Sequence, residues 1–237
     1  MIGISGLTKS FGDRPVLAGV DLSVARGESL CVIGQSGTGK SVLLKCILGL
    51  VLPDAGRVLW RGQPLDAASR PAFLAQFGML FQGGALFDSL SVWQNVAFRL
   101  RQTMPDGPAR AIAIEKLARV GLGAETADLM PAQLSGGMMK RAALARAIAA
   151  DPQVIFFDEP TTGLDPIRAR RINGLIRGIV EETGATAITI THDMDSVRAI
   201  GDRVALLQDG HILWDGPVAA MDDAPALAGF LGQDPAG

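Results

Sequence analysis

The chain has no tyrosine and, among 237 residues, only two cysteines and two histidines. Cys31 and Cys46 both lie in apolar segments, which predicts two buried thiols rather than a disulfide or a pair of metal ligands. Basic residues are also scarce, because 22 Lys and Arg are outweighed by 24 Asp and Glu. A chain without a basic surplus lacks the field that drives sequence-independent binding to phosphate backbones, so we expect no nucleic-acid partner.

Long hydrophobic runs are absent as well. No stretch of 18 apolar residues occurs, so we expect no bilayer-spanning helix. The first residues lack a charged segment followed by an apolar segment and a cleavage site, which predicts no secretory signal and a cytoplasmic location. With 48% hydrophobic residues the chain has ample material for the core of one α/β domain or one domain carrying a subdomain.

One glycine-rich segment organises the rest. It follows the apolar run Ser29–Ile33, precedes the helical pattern Val42–Leu48 and fits the spacing G-x-x-x-x-G-K-[ST]. Backbone N–H groups of such a turn, with those of the helix N-terminus, form a concave site for triphosphate oxygens. The lysine of this pattern reaches the β- and γ-phosphates and its hydroxyl binds Mg²⁺. The residues concerned are Gly34, Gln35, Ser36, Gly37, Thr38, Gly39, Lys40 and Ser41.

Around this loop the pattern changes along the chain. The first 24 residues predict antiparallel strands joined by a turn that begins at Phe11. An aromatic ring on such a turn either stacks on adenine or serves as a packing residue. From Gly83 to about Met130 the hydrophobic spacing is helical, with a break at Met104–Pro108, and this predicts a helical insertion. The chain closes with a hairpin that turns at Asp209-Gly210. The last few residues are predicted to be a short frayed tail.

Polar residues end three predicted core strands. Asp158 and Glu159 follow the apolar run Val154–Phe157, as expected for a parallel strand that delivers carboxylates to a site at its C-terminal end. Gln82 and His192 end two further strands. Asp158 is placed to hold Mg²⁺ opposite the hydroxyl of the glycine-rich loop, and Glu159 to polarise an attacking water.

These segments, in this order, resemble the ATP-binding-cassette (ABC) ATPases over nearly the whole chain. The glycine-rich loop is similar to the Walker A motif of that family and Val154–Glu159 to its Walker B motif with the catalytic glutamate. Gln82 is similar to the Q-loop, Leu134–Met138 to the signature motif, Gly163–Asp165 to the D-loop and Thr191–Asp193 to the H-loop. Phe11 stands where the family usually has an adenine-stacking Tyr.

The resemblance implies a P-loop NTPase (RecA-like) α/β core with an antiparallel β subdomain and an inserted helical subdomain at about 83–135, all within one nucleotide-binding domain, 1–237. It assigns catalysis to Glu159, His192 and Gln82, and Mg²⁺ to Ser41, Gln82 and Asp158. ATP contacts are implied for Phe11, for the eight loop residues, and for Ser135, Gly136, Gly137 and Asp165. Family members work as head-to-tail dimers, which agrees with the roughly 95 residues between the two anion-binding helix N-termini of this chain.

The signature departs from the common Leu-Ser-Gly-Gly-Gln at Met138, whose side chain cannot make the hydrogen bonds of a glutamine. Together with the residues after Gln82, this departure resembles the ATPase subunits of Mla/Mce-type lipid transporters. That resemblance implies a homodimer on an integral membrane permease at the inner membrane, and an Mce-domain lipid-binding protein as a further partner.

Three other classes of protein share part of this pattern. An importer ATPase for amino acids or other small solutes has the same motifs and stays open. Soluble ATPases of the family that act in translation or DNA repair carry tandem cassettes or a long coiled-coil insertion, which 237 residues do not accommodate. A P-loop kinase or GTPase would not explain Leu134–Met138.

Overall fold

The computed structural model describes residues 1–231 of the chain. Ten β-strands and eight α-helices of this part position the predicted site residues. The strands are β1 (Ile2–Phe11), β2 (Arg14–Val24), β3 (Ser29–Ile33), β4 (Ala55–Trp60), β5 (Gln63–Pro64), β6 (Phe77–Leu80), β7 (Val154–Asp158), β8 (Thr186–Ile190), β9 (Arg203–Gln208) and β10 (His211–Pro217). The helices are α1 (Lys40–Leu48), α2 (Arg70–Ala75), α3 (Val92–Val96), α4 (Asp106–Arg119), α5 (Gly136–Ile148), α6 (Pro166–Thr183), α7 (Met194–Ile200) and α8 (Ala228–Leu231). The chain divides into two compact units, one formed by residues 1–75 with those from 186 on, the other by residues 76–185.

The first unit contains an antiparallel sheet and the strands that carry the glycine-rich loop. The antiparallel sheet has the order β2-β1-β4-β5. Strand β3 lies between β9 and β8 and is parallel to both, and β10 is antiparallel to β9. All five residues of β3 are buried, as its continuous apolar run predicts. The β9–β10 hairpin turns at Asp209 and Gly210 with φ values of 50° and 77°, which confirms the predicted turn.

The second unit is built on two parallel strands and three long helices. Strand β6 pairs in register with β7 from Phe77 opposite Val154 to Leu80 opposite Phe157. Helix α4 buries Ala109, Ala113 and Leu117, which recur every four residues on one face. Helices α5 and α6 contribute a run of buried alanines and an isoleucine-rich face to the same core. Antiparallel strands, P-loop α/β strands and helical parts therefore all occur, as the resemblance implied.

Two helix predictions in the second unit were wrong in extent. Residues 83–91 form turns rather than a helix, because glycines and an alanine with positive φ follow Gln82. The predicted break at Met104–Pro108 is shorter than expected and ends where α4 begins at Asp106, since a proline in the first turn of a helix gives up an N–H that has no helical partner. Helix α2 was not predicted. The insertion boundaries near 83 and 135 stay a prediction, and the predicted tail lies outside the described residues.

The structure also tests the expectations about the two cysteines and about membrane-spanning helices. Cys31 and Cys46 are both buried and free, as predicted, and burial raises the pKa of the Cys31 thiol to about 12. Within residues 1–231, no helix is long and apolar enough to cross a membrane.

Close packing of α5 on β6 gives a test of the second unit. A methyl group added at Gly78 would lie 2.1 Å from the carbonyl oxygen of Ala147, so Gly78→Ala forces the strand and the helix apart. We expect this change to lower the free energy of unfolding by about 1–3 kcal/mol. The matched control is Gly178→Ala in the interior of α6, where an added methyl group meets nothing within 4 Å. That change should raise the free energy of unfolding by about 0.5–1 kcal/mol. Urea unfolding of both variants measures the difference, and equal effects would contradict this packing.

Candidate functional site

The glycine-rich loop joins buried strand β3 to helix α1 in the first unit. Gly37 and Gly39 have φ values of 82° and 103°, a conformation that other residues rarely adopt. The residue before the helix is Gly39, which has no side chain to cap the first-turn N–H groups, and no acidic residue lies in that turn. A helix N-terminus left open in this way suits phosphate oxygens.

Two glycines of this loop are required by their neighbours. An added methyl group would come within 2.3 Å of the Leu207 carbonyl oxygen at Gly34, and within 2.8 Å of the Val16 carbonyl oxygen at Gly39. The loop backbone therefore passes closely between strands β9 and β2.

Lys40 lies over the loop and is largely buried, with 8% of its surface exposed. Its amine donates hydrogen bonds to the carbonyl oxygens of Gly34 at 2.6 Å and Gln35 at 2.8 Å. The ammonium is thus positioned at the concave side of the turn, where the spacing of the motif predicts it. Ser41, the next residue, is exposed in the first turn of α1.

A pocket of about 330 Å³ extends from this loop to the β1–β2 turn. Phe11 ends β1 with 52% of its surface exposed, and its ring lines the pocket together with Gly37, Lys40 and Ser41. A base stacked on this ring would lie in the same pocket as the phosphate loop. The structure therefore brings the predicted stacking residue and the predicted phosphate residues together. Arg14, which the sequence analysis did not single out, also lines this pocket.

His192 follows β8 of the first unit and is exposed. The next residue, Asp193, accepts a hydrogen bond from the N–H of Asp195 at 3.0 Å and caps α7, as its position in the sequence predicted. The N–H of Asp193 in turn donates to the Thr191 hydroxyl at 3.0 Å. His192 is therefore held between two residues with fixed backbone positions.

In the second unit, the signature residues open helix α5. Ser135 is the N-cap, and its hydroxyl accepts a hydrogen bond from the N–H of Met138 at 3.3 Å, which confirms the predicted cap. A methyl group added at Gly136 would meet nothing within 4 Å, and one at Gly137 only a carbon of Arg168 at 3.9 Å. Internal packing therefore does not require glycine at either position.

Asp158 and Glu159 lie at the C-terminal end of β7 and are half-buried. Glu159 has a φ of 48°, which is unfavourable for a residue with a side chain. Its carboxylate accepts a hydrogen bond from the Thr162 hydroxyl at 2.9 Å. Backbone strain of this kind is typical of functional positions, where the surrounding structure holds a side chain in one orientation.

The other predicted residues of this unit are Gln82 and Asp165, both exposed. Gln82 comes two residues after the end of β6. Asp165 caps α6 by accepting hydrogen bonds from the N–H groups of Ile167 at 3.1 Å and Arg168 at 2.9 Å. Its hydrogen bond from the Arg168 N–H is the main reason that the pKa of this carboxyl is lowered. A predicted nucleotide contact of Asp165 therefore has to coexist with a structural role at the helix end.

Lys140 in α5 is a polar residue near the predicted carboxylates that sequence reasoning missed. Only 6% of its surface is exposed, and its amine has no hydrogen-bond partner within residues 1–231. Burial lowers the pKa of the Lys140 amine, while the charges of Glu159 and Asp158 act in the opposite direction. A signal was present in the sequence, because Lys140 shares the four- and seven-residue spacing of the buried Leu144 and Ala147.

The predicted residues could hold Mg²⁺ only if a nucleotide supplied further oxygen ligands. No group of three or more His, Cys, Asp or Glu side chains forms a metal site in the part of the chain that the structure describes. Mg²⁺ commonly keeps few protein ligands and takes the rest from phosphates and water, which agrees with a serine hydroxyl, a glutamine amide and one carboxylate as the predicted donors.

Replacing Lys140 tests its environment. Because burial disfavours the charged amine in the folded state, Lys140→Met should raise the midpoint of thermal unfolding by about 2–4 °C at neutral pH. The gain should shrink as the pH rises from the lowered pKa of the folded state to the ordinary value of 10.5, because a neutral amine no longer opposes folding.

The control is Lys116→Met, at a lysine that is equally buried but donates a hydrogen bond to Asp151 at 2.7 Å. Its midpoint should fall or stay unchanged. Differential scanning calorimetry compares the two, and a lower midpoint for Lys140→Met would show that its amine is well satisfied.

Comparison with known proteins identifies the family to which this chain is similar. The sequence profile described as ABC transporter matches residues 17–162. The probable ribonucleotide transport ATP-binding protein mkl of Mycobacterium tuberculosis is 40% identical over 97% of this chain, which spans 66% of that protein. The intermembrane phospholipid transport system ATP-binding protein MlaF of Haemophilus influenzae is 41% identical over 91% of the chain and 83% of its own length. The methionine import ATP-binding protein MetN of Caulobacter vibrioides is 43% identical over 95% of the chain and 70% of its own length.

A solved structure agrees with these relatives. The dimeric bacterial ABC transporter cassette MJ0796 superimposes with a TM-score of 0.83 at 32% identity and covers 92% of this chain and 99% of its own. The same cassette is also known in a dimeric post-hydrolysis state bound to ADP and Pi, with a TM-score of 0.82. This chain belongs to the ABC transporter family of ATPases.

Proposed function

We propose that this chain is the ATP-hydrolysing subunit of a transporter that moves phospholipids between envelope membranes through a separate permease. The observation that carries the ATPase part is the open phosphate loop, whose N–H groups, buried Lys40 and exposed Ser41 line one pocket with Phe11. In this proposal the loop binds the triphosphate and the Phe11 ring stacks on adenine.

Hydrolysis is assigned to Glu159. Its strained backbone and its hydrogen bond from Thr162 hold the carboxylate in one orientation, which suits a group that polarises a water for attack on the γ-phosphate. His192 and Gln82 are proposed to act on the same phosphate. By resemblance to the family, Ser41, Gln82 and Asp158 hold Mg²⁺, which neutralises charge on the phosphate oxygens when it is bound.

A dimer follows from the open signature helix. Ser135 caps the N-terminus of α5, and Gly136 and Gly137 have open space where a side chain would be. The cassette MJ0796 is a dimer in its solved structure. We infer that these residues, with Asp165, contact the nucleotide bound by a second copy of the chain. Two ATP molecules then lie between two subunits.

A groove in the second unit is the proposed contact with the permease. It has a volume of about 270 Å³ and is lined mostly by apolar residues. Three phenylalanines of its wall are exposed to between 38% and 46%, and the rings of Phe87 and Phe98 are 4.7 Å apart. Exposed aromatic clusters of this kind are typical of interfaces. Of the apolar residues that follow Gln82 in the sequence, Phe87 is exposed, whereas Val92 is buried.

Phospholipid is proposed as the cargo because MlaF, a phospholipid transport ATP-binding protein in two bacteria, is 39–41% identical to this chain. The Met138 signature and the segment after Gln82 resemble the same group. Under this proposal an Mce-domain lipid-binding protein is a further partner, and the chain lies on the cytoplasmic side of the inner membrane, attached through the permease.

A small-solute importer is the second candidate, because the methionine import protein MetN is 43% identical to this chain. Both candidates share the nucleotide chemistry, so they differ only in the permease and its cargo. Growth on a limiting solute and the lipid composition of the envelope separate them in a deletion strain.

The catalytic assignment has a direct test. Glu159→Gln keeps the size and shape of the side chain but removes its charge and replaces one acceptor oxygen with an NH2 donor, so we expect kcat to fall by roughly a hundredfold or more while ATP binding is retained. Lys40→Met should weaken both, because it removes the cation at the phosphate loop. Phosphate release and equilibrium binding of a fluorescent ATP analogue measure the two effects.

The matched control is Glu182→Gln, at an exposed glutamate of α6 that pairs with Arg119 at 2.7 Å. Its turnover should equal that of the unaltered chain. Normal turnover by Glu159→Gln would refute the assignment of the general base.

The docking groove and the cargo are tested together in cells. Phe87→Asp places a charge among the exposed rings, so we expect the chain to fold and bind ATP but to lose its membrane protein partner in affinity purification. The phospholipid composition of the outer membrane should then change as in a deletion strain. Leu213→Asp, which alters an equally exposed residue on β10, is the control and should change neither. A lost partner with normal lipids and impaired solute uptake would favour the importer.

A further inference from the structure

The turn that follows Gln82 has an unusual backbone. Gly83, Gly84 and Ala85 are three consecutive residues with φ values of 79°, 87° and 47°. Glycine adopts this region freely, but alanine does so only at a cost in free energy because its Cβ approaches the carbonyl oxygen. A turn that includes Ala85 in this conformation needs a restraint from elsewhere in the structure.

Arg146 of helix α5 supplies that restraint. Its two terminal nitrogens donate hydrogen bonds to two successive carbonyl oxygens of the turn, Nη2 to Gly84 and Nη1 to Ala85, each at 2.7 Å. The turn also packs against the same helix, because a methyl group added at Gly84 would lie 3.4 Å from the Cβ of Ala143. The N–H of Gly84 donates to the Phe81 carbonyl oxygen at 2.9 Å and closes the turn.

The guanidinium is partly withdrawn from water at this position. Burial lowers the pKa of Arg146, and its side chain lines the apolar groove beside Phe81 and Phe87. A cation in an apolar wall lowers the stability of the fold unless its hydrogen bonds compensate. Its two bonds to the turn are therefore the reason that it is tolerated there.

On the far side of the turn, Asn95 fixes Phe87. This fully buried side chain accepts a hydrogen bond from the Phe87 N–H at 2.7 Å and donates to the Phe87 carbonyl oxygen at 3.0 Å. The segment from Gln82 to Phe87 thus has a predicted nucleotide residue at one end and a groove residue at the other. Arg146 holds the part between them.

We propose that Arg146 is a positioning residue, which fixes the left-handed turn at residues 83–85 and thereby sets both the direction of Gln82 and the shape of the groove. This inference rests on the proposed function of Gln82. Arg146 is proposed to act on Gln82 only through the turn, and its side chain also lines the groove. A planar fork that spans two neighbouring carbonyl groups is required, so lysine, with one ammonium, replaces it only in part.

Hydrogen–deuterium exchange without nucleotide tests the restraint itself. In Arg146→Met, amides of residues 83–87 should exchange at least tenfold faster than in the unaltered chain, because the turn opens locally. Peptides from β3 and β7 should be unchanged. Arg146→Lys should lie between the two. The control is Arg110→Met, which removes an exposed guanidinium paired with Asp128 in the same unit and should leave the turn protected.

A double-mutant cycle with Gln82→Ala tests the function. Arg146→Met alone should lower kcat roughly ten- to a hundredfold, as expected for a displaced active-site group, with KM for ATP changed less than twofold. In the double variant, kcat should be no lower than in Gln82→Ala, because the arginine acts only through that residue. Arg110→Met should keep normal turnover. If Arg146→Met does not fold, Arg146→Lys is carried through the same cycle.

The outcomes separate the two proposals. Unchanged amide exchange at residues 83–87 in Arg146→Met would overturn the inference, and so would a normal kcat of that variant. It would also be overturned if the reductions of kcat by Arg146→Met and Gln82→Ala multiplied in the double variant. If the unaltered chain hydrolyses no ATP, or Gln82→Ala leaves kcat unchanged, then the proposed function fails, whereas the exchange experiment still decides whether Arg146 holds the turn.

Discussion

The tight passage of the glycine-rich loop between two strands is the constraint on which the nucleotide pocket depends. Gly34 and Gly39 lie so close to the carbonyl oxygens of Leu207 and Val16 that a methyl group fits at neither position. A side chain at either position would push the loop away from strands β9 and β2 and change the arrangement of its N–H groups. The Lys40 amine over the turn and the Phe11 ring at the pocket edge then have fixed positions relative to the phosphates they are proposed to bind.

Helix α5 has the corresponding position in the second unit. Its N-terminus carries the signature residues and its middle carries the buried amine of Lys140, whose pKa responds to Asp158 and Glu159. Near its C-terminal end, Arg146 holds the turn after Gln82. One rigid helix thus contacts or influences three of the predicted functional segments. A movement of this helix would therefore change the environment of all three segments together.

The sequence predicted those parts of the structure whose residue types have few alternatives. Continuous apolar runs identified β3 and β7, the spacing of glycines and a lysine identified the phosphate loop, and Ser135, Asp193 and Asp209-Gly210 identified two caps and a hairpin. Predictions were wrong where local signals compete. Apolar residues after Gln82 have a helical spacing, yet the positive φ values of residues 83–85 give a turn. This turn contacts Arg146, 61 residues away from Ala85, a contact that no local pattern predicts.

Three residues with an unfavourable local conformation or burial belong to the unit that carries the proposed catalytic carboxylate. Glu159 and Ala85 both have left-handed backbones, and Lys140 has a buried amine without a hydrogen-bond partner in residues 1–231. Each lowers the stability of the fold, and none is needed to build a sheet or a helix. Such features persist where a protein needs a side chain or a turn held in one orientation, and here all three belong to the unit with the proposed catalytic carboxylate. Stability and turnover should therefore respond in opposite directions to substitutions of these three residues, whereas substitutions in the apolar strands of the first unit should show no such opposition.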